Sequence, residues 1–299
     1  MERLLSFFLI LILLCSSALA CDSWYTGDFV QVADCKEYIS LREEPSTDAA
    51  VLERIPLDGV AVYLCHHDDT FAKVLFNGKI GYVMQKYLKN LFSVCEHCIP
   101  QNLNDEELYN LQIFLTNFTE QGMLAPAGVL HGDSMADATL VDFAAEHIWF
   151  NRQDKLEWGE YANENNVRLD KQHLPEVCLK YFGRMPELFT SDRYDVEGDH
   201  LCWQETGGHV PFGFTIVHGA HDMGDGRYRV SFCVYGMGMD WDEKVYSMNE
   251  RSLAHEMPHY FSPVRPYGNA VININGGSLM DRSTWTLERL AMDWTWQHL

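Results

Sequence analysis

The stretch from His255 to His259 has the HExxH spacing of a zinc-binding peptidase site. On a helix this spacing places both imidazoles on one face and leaves Glu256 beside the metal, where it can activate a water molecule. Pro258 opposes a helix here, because proline lacks an amide N–H and disfavours helical geometry at the residue before it. The zinc site of His255, Glu256 and His259 is therefore an alternative hypothesis, and a surface loop is the preferred interpretation.

A second candidate nucleophile is Ser134 in the block Gly132-Asp133-Ser134, which resembles the nucleophile block of GDS-type esterases. In such enzymes a histidine acts as the base and an aspartate orients it, and Asp170 and His173 would be the matching pair. That family needs a parallel α/β sheet between the two blocks, and the segment between Ser134 and Asp170 is too short to form one. A helix N-cap at Asp133 or Ser134 is the preferred interpretation.

Cysteine and histidine residues in the C-terminal half could also supply the nucleophile and base of a cell-wall peptidase. The candidates are Cys178, Cys202 and Cys233 with His209, His218 and His221. Papain-like wall peptidases place the cysteine at the head of a helix, before the sheet that carries the histidine. Cys178 lies inside a predicted helix and the other two cysteines lie in strand-like segments, so the sequence favours buried thiols or disulfides.

The N-terminus has the pattern of a secretory signal peptide over residues 1–20. A short polar head precedes an apolar run over residues 6–14, and small residues lead up to a cleavage site after Ala20. Export is therefore predicted, with the protein extracellular or associated with the cell envelope. Cys21 directly follows the cleavage site, as in a lipobox, so lipidation of Cys21 and free secretion are both open.

Eight cysteines remain once the signal peptide is removed, and an exported protein meets conditions that favour disulfides. They are Cys21, Cys35, Cys65, Cys95, Cys98, Cys178, Cys202 and Cys233. The sequence selects no pairing among them. Cys95 and Cys98 form a CxxC pair, but a zinc site needs a second pair at suitable spacing. We interpret residues 93–102 as a hinge, with a disulfide from it to one of its neighbouring domains.

The formal net charge of −21 excludes two classes of partner. A protein that binds phosphates needs clustered Lys and Arg, and here 43 acidic residues oppose 22 basic ones. Nucleic acid is therefore not a predicted partner, and contact with a membrane is predicted only through a lipid anchor at Cys21. Residues 22–90 have a net charge of −4, so most of the acidity belongs to the C-terminal part. The sequence predicts no cofactor.

Residues 27–90 contain short runs of alternating apolar and polar residues between turn residues, the pattern of an all-β domain. The predicted strands lie at residues 29–32, 39–41, 60–64 and 72–76. Asn77-Gly78 supplies two residues that tolerate positive φ, as a type I′ hairpin requires. Short strands and tight turns over this length predict a small barrel.

The same segment resembles the bacterial SH3 (SH3b) domain. The stretches ISLREEPSTDAAVLERIPLDGVAV and FAKVLFNGKIGYVMQKYL carry a Leu-Arg pair, a Pro-Ser-Thr turn, a Gly before a hydrophobic strand and a Gly-Tyr-Val strand ending in Tyr-Leu. The resemblance implies a compact barrel at residues 22–92 that binds cell-wall peptides or serves as a targeting or packing module. A ligand cleft in such a domain is aromatic and polar. The aromatic candidates are Tyr38, Tyr63, Phe71, Tyr82 and Tyr87.

Residues 103–299 predict an acidic α+β domain of unknown function, with helices first and an antiparallel sheet after them. Three helices are predicted from their caps, which are Asn104 with Glu107, Asp133 or Ser134, and Pro175 with Gly183. The predicted strands lie at residues 213–217, 228–235 and 270–274, with Gly224-Asp225-Gly226 as a hairpin turn. The helical part is similar to an uncharacterised region that accompanies SH3b domains in exported bacterial proteins, and this similarity implies no activity.

These features predict a multidomain protein, with a small all-β SH3-like barrel followed by an α+β domain. The predicted function is that of an exported, non-enzymatic binding protein that recognises cell-wall peptides or another component of peptidoglycan. Two alternatives stay open. One is a cell-wall peptidase or amidase whose catalytic site the motifs do not reveal, and the other is a zinc peptidase that uses His255, Glu256 and His259.

Overall fold

The computed structural model describes residues 24, 26–91, 99–119, 129–205, 212–237, 263 and 265–292. Within these ranges the chain forms three antiparallel sheets and three α-helices. No helix in these ranges is long and apolar enough to cross a membrane. The predicted signal peptide, Cys21 and the stretch from His255 to His259 lie outside the described residues.

The N-terminal domain is a seven-stranded antiparallel sheet wrapped around one apolar core. Its strands are β1 (Phe29–Val32), β2 (Tyr38–Arg42), β3 (Val51–Pro56), β4 (Val60–His66), β5 (Phe71–Phe76), β6 (Lys79–Met84) and β7 (Leu88–Asn90), in the order β3-β2-β6-β5-β4-β1-β7. The four predicted strands of this region are confirmed. Successive side chains of a strand point to opposite faces of the sheet, so alternate residues of each strand enter the core. Leu41, Ile55, Val74 and Val83, which lie on four different strands, are fully buried there.

The turn between β5 and β6 confirms the predicted tight hairpin. Asn77 and Gly78 adopt φ angles of 47° and 74°, and Phe76 pairs with Lys79 across the turn. Two successive residues with positive φ match the right-handed twist of the flanking strands, which is why Asn-Gly is favoured there.

The C-terminal part contains helices α1 (Asp105–Thr119), α2 (Asp137–Asn151) and α3 (Leu174–Phe182). The capping box of α1 is confirmed, because the Asn104 side chain accepts from the Glu107 amide and the Glu107 carboxylate accepts from the Asn104 amide, both at 3.0 Å. The cap of α3 is confirmed as well. Gly183 ends that helix with a φ of 67°, the left-handed conformation that glycine adopts at low cost.

The predicted cap of α2 is wrong. The helix begins at Asp137 after Ala136, which makes no side-chain capping bond, while Asp133 and Ser134 lie in the preceding turn. The carboxylate of Asp137 instead accepts from the amides of Glu187 and Leu188, at 3.0 and 2.9 Å. A tertiary contact with the segment after α3 thus replaces the local cap.

Two further sheets complete this part of the chain. The smaller one has the strand order β10-β11-β13-β12 and is built from β10 (Leu156–Trp158), β11 (Val167–Asp170), β12 (Asp195–Glu197) and β13 (His200–Trp203). The larger one has the order β8-β14-β15-β16-β17-β9. Its strands are β8 (Ile99–Pro100), β9 (Val129–His131), β14 (Phe212–Gly224), β15 (Arg227–Met237), β16 (Arg265–Ile274) and β17 (Trp285–Met292).

The helices pack on one face of the six-stranded sheet and form the largest apolar core with it. Hydrogen bonds between α1 and β14 add to this packing. The Thr215 amide donates to Thr116 Oγ1 at 3.2 Å, and the Val217 amide donates to Gln112 Oε1 at 3.3 Å. The predicted α+β domain is found only in part. Antiparallel strands dominate the described residues, and short strands lie before and between the three helices rather than only after them.

The opposite face of the six-stranded sheet packs against the N-terminal domain. Phe29 and Val62 from the barrel meet Val271 and Ala291 from the sheet in a common apolar cluster. The predicted hinge at residues 93–102 is partly built into the same sheet, because β8 pairs with β14 and the Gln101 amide donates to the carbonyl of Ala220. The two domains therefore share an interface with buried apolar and polar contacts.

Candidate functional site

The N-terminal domain carries an open groove of about 520 Å³, and none of its lining residues belongs to the apolar cluster at this interface. That volume falls within the range of small-molecule and short-peptide sites. The lining residues are Asp34, Cys35, Lys36, Tyr38, Ile39, Ser40, Arg42, Thr47, Phe71, Met84 and Tyr87. The groove thus combines aromatic and sulfur-containing side chains with charged and hydroxyl groups.

Three elements place the aromatic rings of the groove. Tyr38 begins β2 and is 39% exposed, Phe71 begins β5 and is buried, and Tyr87 ends the 3₁₀ turn between β6 and β7. Cations support two of these rings, since the Arg54 guanidinium lies 4.5 Å above Tyr38 and the Lys86 ammonium 4.8 Å above Tyr87. Such contacts help to hold the rings in place.

Charged groups of both signs lie along the groove. Asp34 and Lys36 follow β1 and are exposed, and Asp34 forms an ion pair with Lys89 at 3.4 Å. Arg42 donates to the carbonyl of Ala49 at 2.7 Å, which fixes its guanidinium at one wall. A ligand in the groove would therefore meet both a carboxylate and cations beside an aromatic surface.

The structure separates the five aromatic candidates into two groups. Tyr38, Phe71 and Tyr87 line the groove, whereas Tyr63 and Tyr82 do not. Tyr63 is buried against Trp24, with ring centroids 5.3 Å apart, and burial raises its pKa. Tyr82 contacts the His67 ring at 5.1 Å and does not line the groove, although it pairs across the sheet with the groove residue Arg42. Ligand binding by the three groove residues stays a prediction.

Several groove residues were not predicted from the sequence. Cys35, Ser40, Thr47 and Met84 come from four separate segments, namely the turn after β1, strand β2, the loop after β2 and the end of β6. Ser40, Thr47 and Met84 lie within the stretches that resemble the SH3b pattern, but that pattern does not indicate that they share a groove with Cys35, and β2 pairs with β6 beside the turn after β1. The charged pair Asp34 and Lys36 on either side of Cys35 is the one local signal that marks this turn.

The five described cysteines, Cys35, Cys65, Cys178, Cys202 and Cys233, are free thiols. The expected disulfides are thus not found among them, while Cys21, Cys95 and Cys98 lie outside the described residues.

Burial raises the pKa of three of these thiols, to about 12 for Cys178 and to about 11 for Cys202 and Cys233. Cys178 donates to the carbonyl of Leu140 at 3.7 Å. A thiol that holds its proton this strongly is a poor nucleophile at neutral pH.

The histidine candidates lie on β14 or outside the described residues. His218 and His221 are on β14 and their pKa values are lowered by burial, while His209 is not described. Within the described ranges, no group of three or more His, Cys, Asp or Glu residues could hold a metal ion. The stretch with His255, Glu256 and His259 falls outside those ranges and stays untested.

The esterase-like residues have local structural roles. Asp170 caps a 3₁₀ turn by accepting from the Gln172 amide at 2.8 Å, and His173 precedes α3 as its N-cap residue. Ser134 donates its amide to the carbonyl of His131 in a turn. These capping and turn contacts explain the positions of Ser134, Asp170 and His173 without an acyl-transfer site.

A separate group of ionisable side chains lies between α2 and the segment that follows α3. Asp142 accepts from the Ser191 hydroxyl, and Glu146 pairs with the Arg193 guanidinium. Burial raises the pKa of Asp142 and raises that of Glu146 to about 7. Burial also lowers the pKa of the adjacent His147 to about 4, so this imidazole is neutral near pH 7.

Comparison with known proteins identifies one part of the chain. The family model described as bacterial SH3 domain matches residues 37–89. No curated protein matches the chain.

Two solved structures from Trichomonas vaginalis, NlpC2 and NlpC1, are distantly similar. NlpC2 is 11% identical, over 72% of this chain and 69% of that chain, with a TM-score of 0.20. NlpC1 is 13% identical, over 70% of this chain and 63% of that chain, with a TM-score of 0.19. Scores this low support no inference about fold or activity. The family match and the antiparallel barrel agree, and residues 37–89 therefore form a bacterial SH3 domain.

Proposed function

We propose that this protein is an exported, non-enzymatic binding protein of the cell envelope that holds a cell-wall peptide in the groove of its SH3 domain. The groove itself is the observation that carries the proposal, because it presents Tyr38, Phe71 and Tyr87 together with charged groups in a domain of the bacterial SH3 family. Bacterial SH3 domains commonly bind cell-wall components, which supports a cell-wall partner in general.

The chemistry of the groove suits a short peptide with charged ends or side chains. Aliphatic groups of such a peptide can pack on the aromatic rings, since burying apolar surface on an aromatic ring is favourable. Asp34 can accept from an ammonium group, and Lys36 can donate to a carboxylate. Cell-wall stem peptides carry both of these groups next to small apolar side chains.

Replacing Tyr38 by alanine tests the groove in the whole mature protein. Tyr38→Ala is expected to weaken binding to purified peptidoglycan about 10-fold or more, because exposed tyrosines at the centre of a site often contribute most of the binding free energy. Tyr82→Ala is the matched control, since Tyr82 belongs to the same domain but does not line the groove. Binding is measured as the fraction of protein that sediments with peptidoglycan across a salt series.

Two results would contradict the proposal. Equal binding by Tyr38→Ala, Tyr82→Ala and the wild type would show that the groove is not the site. Release of soluble fragments from peptidoglycan in the same tubes would contradict a non-enzymatic function.

Thiol labelling provides an independent test of occupancy. Cys35 lines the groove, whereas Cys65 is exposed and does not line it. Saturating peptidoglycan fragments are expected to slow the alkylation of Cys35 by iodoacetamide several-fold and to leave Cys65 unaffected, because a bound ligand covers only the groove. Peptide mass mapping measures both rates in one sample, and equal slowing of both thiols would argue against specific occupancy.

A further inference from the structure

The basic residues of the N-terminal domain gather at the groove, although the protein as a whole is strongly acidic. Residues 22–90 contain seven basic and eleven acidic residues. In the part of this domain that the structure describes, Asp34 is the one acidic residue of the lining, whereas five basic residues line the groove or contact a side chain that does. Lys36 and Arg42 line it, Arg54 and Lys86 lie over the rings of Tyr38 and Tyr87, and Lys89 pairs with Asp34. The lining thus has an excess of positive charge.

Arg42 and Asp34 differ in how far their charges are already compensated. The Asp34 carboxylate lies 3.4 Å from the Lys89 ammonium. Arg42 Nη1 donates to the carbonyl of Ala49 at 2.7 Å, and no carboxylate of the described residues lies within ion-pair distance of this guanidinium. A guanidinium has five N–H donors, so the bond to Ala49 leaves donors for a second acceptor. Arg42 is therefore a positioned cation at the wall of the groove whose charge no neighbouring carboxylate balances.

The spacing along β2 sets the distance between this cation and the aromatic end of the groove. Tyr38, Ser40 and Arg42 are alternate residues of β2, so their side chains lie on the same face of the strand, and all three line the groove. At a rise of about 3.4 Å per residue, Tyr38 and Arg42 are about 13 Å apart, which is the length of about four residues of an extended peptide. Phe71 and Met84, which pair across β5 and β6, add apolar surface to the lining.

We propose that the groove selects peptides that end in a free carboxylate, and that Arg42 binds this carboxylate. The inference rests on the proposed peptide-binding function and adds the direction in which the peptide lies. A guanidinium and a carboxylate form two parallel charge-assisted hydrogen bonds, which fix the position and the orientation of the carboxylate. The residues that precede it then extend towards Tyr38, where an apolar side chain packs on the ring.

Other ligand classes fit the groove less well. A polyanion such as a nucleic acid or a phosphate polymer would reach beyond the lining, and the net charge of −21 opposes its approach. Exposed acidic residues lie next to the groove residues in the sequence but do not line the groove, namely Glu37, Glu43, Glu44 and Asp48. A peptide that presented an ammonium group to Arg42 would bring two like charges together. A single carboxylate at the end of a short peptide avoids both kinds of repulsion.

The test uses the mature protein and three synthetic tripeptides, with affinity measured by titration calorimetry. The first is diacetyl-Lys-D-Ala-D-Ala, in which acetylation leaves the terminal carboxylate as the single charge. The second is its C-terminal amide, and the third has glutamate in the middle position and a terminal amide, so that its carboxylate is on a side chain. The wild type is expected to bind the first peptide about 10-fold or more tightly than the other two, because a hydrogen-bonded ion pair is lost in both.

Arg42→Gln is expected to lower the affinity for the first peptide to that for its amide and to leave the affinity for the amide nearly unchanged. A groove that was merely misfolded would lose affinity for both peptides, so the comparison separates carboxylate recognition from structural damage. Arg42→Lys keeps the charge but not the paired donors, so an intermediate affinity is expected. Lys79→Gln is the matched control, because it removes one positive charge from the same domain at a residue that does not line the groove.

Four outcomes would overturn the inference. These are equal binding of the first peptide and its amide by the wild type, equal binding of the first and third peptides, equal losses in Arg42→Gln and Lys79→Gln, and no binding of the first peptide by a wild type that still sediments with peptidoglycan. In the last case the proposed cell-wall binding stands. If the first peptide binds through Arg42 but the protein does not sediment with peptidoglycan, the proposed function fails and the carboxylate site stands.

Discussion

Replacing Arg229 by alanine is expected to lower the free energy of unfolding by about 3–5 kcal/mol. Arg229 on β15 forms an ion pair with Asp28 of the SH3 domain, and the two residues are 4% and 3% exposed. Removing one partner of a buried pair leaves the other charge without compensation in a medium that solvates it poorly. The carboxylate of Asp28 would then destabilise the contact between the two domains.

Hydrogen bonds extend this ion pair into a network that spans the interface. Arg229 Nε donates to Asn269 Oδ1 at 3.3 Å, and Asn269 Nδ2 donates to the carbonyl of Gly27 at 3.1 Å. On the other side, Asn90 Nδ2 donates to Asp28 Oδ2 at 2.9 Å. Arg229→Ala removes the residue that joins the two halves of this network, so loss of stability and loosening of the SH3 domain are expected together.

Arg227→Ala on the same strand is the matched control. Arg227 forms an ion pair with Glu288 at 3.8 Å in which both side chains are partly exposed, and such pairs contribute about 1 kcal/mol or less. Urea unfolding of the two variants measures the difference. Equal losses in Arg227→Ala and Arg229→Ala would contradict the role assigned to the interface pair, whereas recovery of stability in Asp28→Leu/Arg229→Met would support it.

Glu146 and His147 are expected to affect stability in opposite directions as the pH changes. Burial raises the pKa of Glu146 from 4.5 to about 7, so the folded protein holds this proton more tightly than the unfolded chain does. Its contribution to stability is present below pH 4.5 and is lost as the pH rises towards 7. Burial lowers the pKa of His147 from 6.5 to about 4, so its contribution is present above pH 6.5 and is lost as the pH falls towards 4.

Each contribution is about 3 kcal/mol. In the wild type the loss of the Glu146 contribution as the pH rises is nearly offset by the gain of the His147 contribution. Glu146→Gln is expected to remove the effect that opposes His147, so relative to the wild type the free energy of unfolding should rise by about 3 kcal/mol from pH 4 to 6.5. His147→Phe keeps a ring against Phe143 and removes the effect that opposes Glu146. Relative to the wild type, the free energy of unfolding in that variant should fall by about 3 kcal/mol from pH 4.5 to 7.

Urea titrations at half-unit pH intervals measure these profiles. Asp142, whose pKa is raised in the same direction as that of Glu146, is unchanged in both variants. Glu157→Gln is the control, because Glu157 is exposed and pairs with Arg168 on a different element. Parallel profiles for the wild type, Glu146→Gln and His147→Phe would contradict the opposing roles.

Short-range signals determined much of the secondary structure. Asn77 and Gly78 predicted a hairpin because their own backbone preferences suffice to form it. Asn104 and Gly183 predicted a helix start and a helix end, since each cap involves only neighbouring residues. The SH3 domain was predictable for the same reason, because its strands alternate regularly and its turns are local.

Tertiary contacts determined the start of α2 and the short strands β10 to β13, which the local signals did not predict. Helix α2 begins at Asp137 rather than at a local cap because its first carboxylate binds amides of a distant segment. The strands β10 to β13 were not predicted, since each has only three or four residues and depends on pairing with the others. Trp158 and Trp203 both lie opposite Val167 only because these strands are in register.

The candidate groove likewise depends on both local sequence and tertiary contacts. The sequence identified five aromatic residues in the SH3 domain, yet their spacing carries no information on which rings share a surface. Tyr38 at the start of β2 and Tyr87 in the turn after β6 line one groove, while Tyr63 turns into the core. The pair of Asp28 and Arg229 joins residues 201 positions apart, and neither charge is distinctive in the sequence. Composition and local preference thus determined the elements, and long-range packing decided which side chains meet.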